Sequence, residues 1–133
     1  MTLHDAFCVV LVAEDEVLIQ NVVRMVLERE GYAVLTASDG VEALAISRRY
    51  PGVIHALITD VRMPRVDGIE LADRIRKERP STKILVISAE TSTHSMEVLQ
   101  SLLNAEFLRK PFLPSILRDK VNQLLAGDCV RAA

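Results

Sequence analysis

The stretch HALITDVRMPRVDG, residues 55–68, runs a short apolar segment straight into Asp60 and then into a loop containing Pro64. A run of apolar residues without polar alternation is the pattern of a strand covered on both faces of a parallel sheet. Such a strand has no packing reason to end on a carboxylate. The same pattern of apolar run, polar loop and helical period recurs along the chain: Cys8–Ala13, Ala33–Ala37, Ala56–Thr59, Ile84–Ile87 and the weaker Ala105–Leu108. Strands alternating with helices over this length predict an open, doubly wound α/β sheet of five parallel strands.

The helical segments carry their own start and stop signals. Asp39 precedes Glu42 and Asp67 precedes Glu70 by three residues, which places Asp at an N-cap. Gly31 follows the first helix where a left-handed residue is wanted, and Pro51 and Pro80 stop the second and third. Leu113, Ile116, Leu117, Val121, Leu124 and Leu125 recur at helical spacing in a last helix running toward Gly127.

Composition narrows the function. The chain has 133 residues, 50% hydrophobic and 26% charged, which suits one domain with a real core. Its formal net charge of −2 argues against a basic footprint for nucleic acid or an anionic membrane surface. The apolar opening, Ala6–Ala13, is too short to span a membrane and lacks signal-peptide features, so a cytoplasmic chain is expected. Cys8 and Cys129 stand far apart with no ligand spacing around them, which reads as two reduced thiols.

In an open parallel sheet, ligands bind beyond the carboxyl ends of the strands, where strand order reverses. Polar groups follow the apolar runs at that rim: Glu14, Asp15 and Glu16 after the first, Asp60 after the third, Ser88 after the fourth, and Arg109, Lys110 and Pro111 after the fifth. Glu14, Asp15 and Asp60 crowd like charges against the single cation of Lys110, and such a cluster asks for a cation. With oxygen donors only, a hard ion, Mg²⁺ or Mn²⁺, is favoured. A carboxylate beside such an ion and a lysine can accept a phosphoryl group. Ser88 and Lys110 could then each hold a phosphoryl oxygen.

These residues, in this order on five strand ends, resemble the receiver domain of two-component response regulators, over about Cys8 to Leu125. The resemblance implies five helices around the five-stranded sheet, with flavodoxin-like strand order 2-1-3-4-5. It reads residues 1–133 as a single receiver domain, core about 8–125, with no output domain. Asp60 would take a phosphoryl group from a sensor histidine kinase or a histidine phosphotransfer protein. Glu14, Asp15, Asp60 and the backbone carbonyl of Arg62 would hold Mg²⁺. Ser88 and Phe107 would switch a surface around the fourth helix, fifth strand and fifth helix that a downstream protein reads, without direct nucleic-acid contact or membrane insertion. Lys110-Pro111 is a candidate cis peptide.

Two positions depart from the family's habit. Phe107 stands where Tyr is frequent and lacks its hydroxyl, and Asn104-Ala105 replaces Gly-Ala, with Asn the next best residue for a left-handed turn. Glu16 is expected in the first turn of the first helix. His4, His55 and His94 read as packed or solvated. The first helix carries more apolar residues than one buried stripe needs, so some should face solvent, where a kinase's histidine-bearing helices could dock. Two other classes compete. A haloacid-dehalogenase-type phosphatase needs an acid two residues after its nucleophile, where Arg62 stands. A flavodoxin-like flavin module needs a phosphate loop where Glu14, Asp15 and Glu16 would repel phosphate.

Overall fold

The computed structural model describes residues 7–89, 97, 100–101 and 104–132. Five strands, β1 (Val9–Ala13), β2 (Ala33–Ala37), β3 (Ala56–Asp60), β4 (Lys83–Ser88) and β5 (Glu106–Arg109), form one parallel sheet in the order β2-β1-β3-β4-β5. Four helices lie among the described residues: α1 (Val17–Arg29), α2 (Gly40–Arg49), α3 (Gly68–Glu78) and α4 (Pro114–Leu124). The remaining expected helix falls between β4 and β5, mostly outside the described residues; Glu97, Gln100 and Ser101 are helical and exposed. His4 and His94 also lie outside them. No helix among the described residues is long and apolar enough to cross a membrane.

The absence of polar alternation in β1 has a direct structural reason. Val9, Leu11 and Ala13 pack with Leu44 of α2 and Leu71 and Ile75 of α3, while Val10 and Val12 pack with Val23 and Leu27 of α1 and Leu117 and Val121 of α4. Both faces of the strand are interior, so both sets of side chains must be apolar. β1 lies between β2 and β3, and strand order therefore reverses on either side of it. The crevice that this reversal opens lies beyond Ala13 and Asp60.

The helix signals operate as their chemistry requires. Asp39 accepts the amide of Glu42, Asp67 accepts those of Ile69 and Glu70, and Gly31 takes φ +88° directly after α1. Asn104 adopts φ 50° before β5, and the Lys110-Pro111 bond is cis. Glu16 stands one step earlier than expected, at the N-cap of α1, and makes no side-chain capping bond. Of the periodic residues in the last helix, Leu117, Val121 and Leu125 are buried, whereas Leu113 and Ile116 face outward.

The cysteine expectation is corrected. Cys8 and Cys129 are joined in a disulfide, with Cα atoms 5.1 Å apart across 121 positions of sequence. After α4 the chain turns at Gly127 (φ +81°) and returns beneath the amino-terminal ends of the strands, where Phe7 and Val130 form a parallel bridge. Distance along the sequence hid a proximity that only the tertiary path creates.

Candidate functional site

Asp60 is the last residue of β3 and is buried, with its carboxylate turned into the crevice. Glu14 follows β1 and is only 3% exposed, while Asp15 next to it faces solvent. Lys110, directly after β5, reaches across β4's end to both: its Nζ donates to Glu14 Oε1 and to Asp60 Oδ2, each at 2.8 Å. Glu16 stands 3.9 Å from the same ammonium. Ligand oxygens of Glu14, Asp15 and Asp60 lie within 4.8 Å of one another. Ser88 ends β4, one register step beyond Ile87, which pairs with Asp60. A cavity of about 580 Å³ opens over these groups, lined among others by Asp15, Asp60, Arg62, Ser88 and Lys110. Every expected site side chain thus converges except Phe107, which lies half-buried on β5 against the α2/α3 side of the core.

The electrostatics follow from burial. Desolvation pushes the Glu14 carboxyl up from 4.5 to about 7, against the lowering pull of the Lys110 ammonium and the Glu16 amide. Burial works against the Lys110 ammonium too, but its bonds to Asp60 and Glu14 prevail and hold its pKa above the ordinary value. With its carboxylates ionised, the cluster of Glu14, Asp15, Asp60 and Lys110 carries an excess of negative charge. The donors are hard oxygens, one of them exposed and open to water, with no His or Cys among them. That donor set fits a small divalent cation that keeps part of its hydration shell.

Several residues that build the site carried little signal of their own. Gln20 Nε2 donates to the carbonyls of Glu14 (2.9 Å) and Ala37 (3.0 Å), tying α1 to the ends of β1 and β2. Its only mark in the sequence is a polar residue inside an apolar helical stretch. Gly68 packs so closely that a Cβ there would sit 1.8 Å from the Asp60 carbonyl oxygen, and its amide bonds Val61 O at 2.9 Å. Arg65 adopts φ 69° and pairs with Asp39 at the start of α2, which fastens the loop after Asp60 to a second helix.

A doubly wound sheet with an acidic cluster and a lysine at its switch point defines a class of phosphoacceptor signalling modules, and the comparisons agree. The response regulator receiver domain model matches residues 10–122, and the chain belongs to that family, the receiver domains of two-component response regulators. It is 33% identical over 124 residues to the alkaline phosphatase synthesis transcriptional regulatory protein PhoP of Bacillus subtilis, covering 92% of this chain and 50% of that protein. It is 27% identical to the response regulator SaeR of Staphylococcus aureus, covering 86% of this chain and 49% of that one. The chain spans about half the length of the curated relatives it matches. Among solved structures, the chemotaxis protein CheY4 of Vibrio cholerae superimposes with a TM-score of 0.81 at 32% identity, over 90% of this chain and all of that one.

Proposed function

We propose that Asp60 accepts a phosphoryl group from a phosphohistidine on a sensor kinase or a phosphotransfer protein. The observation that supports this most is the bridging of Lys110 between Asp60 and Glu14 inside a cluster of three carboxylates. Asp60 Oδ attacks phosphorus, the O–P bond forms as the P–N bond breaks, and the electron pair returns to the donor imidazole. Lys110 turns its Nζ from the Asp60 carboxylate to a phosphoryl oxygen, and the Ser88 hydroxyl meets a second. Glu14, Asp15, Asp60 and the Arg62 carbonyl would hold Mg²⁺, which supplies charge neutralisation on the transferring oxygens. The enclosing loop, fixed by Gly68 and Arg65, keeps Asp60 oriented.

On this reading the chain is not an enzyme with a separate substrate, and it works in the cytoplasm without contacting nucleic acid directly. Its donor docks on the outward strip of α1, where Leu18, in the turn that follows Glu16, is 81% exposed and Met25, two turns further on, is 58% exposed. Ser88 and Phe107 pass the charge of the phosphoryl group to the surface of β5, α4 and the stretch before β5, where a downstream protein binds. Incubation with Mg²⁺ and acetyl phosphate, followed by intact mass measurement, tests the acceptor. One acid-stable, base-labile phosphoryl group on the parent and none on Asp60→Asn is expected; equal uptake by both would remove Asp60 from the role.

A further inference from the structure

The segment after α4 lies across the amino-terminal end of the sheet, at the far end of β1 from Glu14. Two backbone bonds hold it: Cys8 donates its amide to Val130 O and Ala132 donates its amide to Gly31 O, each at 2.8 Å. Two ion pairs join it at the surface, Lys83 with Asp128 (2.8 Å) and Arg131 with Glu30 (3.1 Å). Its side chains contribute little burial: Ala126, Gly127, Asp128, Val130, Arg131 and Ala132 are all exposed. Exposed ion pairs are weak, and two backbone bonds that water could replace do not offset the entropy of ordering this many residues. The link between Cys129 and the fully buried Cys8 is the strong tie.

The body of the domain is shaped to receive the segment. At Gly31 a Cβ would lie 2.0 Å from the Ala132 carbonyl oxygen, so a residue placed for its left-handed turn also admits the returning backbone. We infer that Cys8 and Cys129 form a reversible thiol–disulfide clasp, which docks residues 126–132 when oxidised and frees them when reduced.

The chemistry balances with small thiols as co-reactant. The thiolate of a glutathione-class thiol attacks Cys129 Sγ, the half-buried and more accessible sulfur; the S–S bond breaks and Cys8 leaves as a thiolate that takes up a proton. A second thiolate attacks the mixed disulfide, the small-molecule disulfide departs, and Cys129 is protonated. Two electrons and two protons have then passed from two small thiols to the protein. Oxidation is the reverse, with a small-molecule disulfide as acceptor. The clasp and Asp60 lie at opposite ends of a sheet whose strand β1 is five residues long, about 16 Å. Redox state and phosphorylation should therefore be separable.

The test equilibrates the whole chain in stepped ratios of reduced to oxidised glutathione, quenches in acid, alkylates with N-ethylmaleimide and weighs it, with hydrogen exchange measured on the same samples. The expected result is one transition between zero and two adducts. The Cys8 and Ala132 amides should exchange at least tenfold faster in the reduced form, with the amides of β3 unchanged. Cys129→Ser should show the fast pattern at every ratio while β3 stays protected, which separates release of the segment from unfolding. Two adducts at every ratio, no adducts even in excess dithiothreitol, or equal protection of Cys8 and Ala132 in both forms would each overturn the clasp.

Discussion

Glu14 offers the sharpest test of the site's electrostatics, because its carboxyl is buried and its pKa is raised from 4.5 to about 7. A carboxyl whose folded pKa lies above its unfolded value binds its proton more tightly in the folded state. Without metal, the folded state therefore loses stability as pH rises from about 4.5 through 7, and the loss is complete above the folded value. At about 1.4 kcal/mol per pH unit, the full loss is about 3 kcal/mol. For a chain of this length it corresponds to a fall in Tm of roughly 10 °C. Thermal melts in EDTA at pH 5, 6, 7 and 8, on the parent and on Glu14→Gln, measure it. The comparison between the two matters because His55 titrates in the same window with the opposite sign. Burial lowers its pKa, and its Nδ1 accepts the Val9 amide at 2.9 Å, so His55 favours the fold more as pH rises. The parent should fall relative to the variant from pH 5 to pH 8. Mg²⁺, which binds the ionised carboxylate, should reverse the fall, with an apparent affinity about tenfold lower at pH 6 than at pH 8. Parallel pH curves for the two proteins in EDTA would refute the reasoning.

Lys110→Met removes the cation between Glu14 and Asp60; titration with Mg²⁺ should show tighter binding, while phosphoryl uptake from acetyl phosphate drops about 100-fold. Gly68→Ala forces a methyl against the Asp60 carbonyl, and urea unfolding should register a loss of about 2–3 kcal/mol. Leu18→Arg alters a side chain that is 81% exposed, so stability should hold within about 0.5 kcal/mol. The same variant should take phosphate normally from acetyl phosphate but about tenfold more slowly from a histidine-bearing protein donor, as single-turnover transfer assays would show.

The sequence was most informative where local chemistry decides the outcome. Five apolar runs became the five strands, with ends moved by a residue because a strand's last pairing depends on its neighbour's register. Asp39, Asp67 and Gly31 did what caps do in any helix. Convergence of Glu14, Asp15, Asp60, Ser88 and Lys110 was legible because a parallel sheet puts all its carboxyl ends on one rim. Contacts fixed by the tertiary path were not. Arg65 meets Asp39 from 26 residues away, and Gln20 meets Ala37 from 17, with no periodicity to announce either. The pairing of Cys8 with Cys129 depends on the turn at Gly127 and the return beneath the sheet, which spacing alone argued against.

Lys110 bonds partners 96 and 50 residues upstream. The strands that carry the three acids, β1 and β3, are thus made well before the lysine that bonds two of them. Without β5 in place, those acids would have only protons and ions from solution to relieve their repulsion. The last strand thus does two things at once: it covers the edge of β4, and it brings the ammonium that turns a knot of repelling carboxylates into a site.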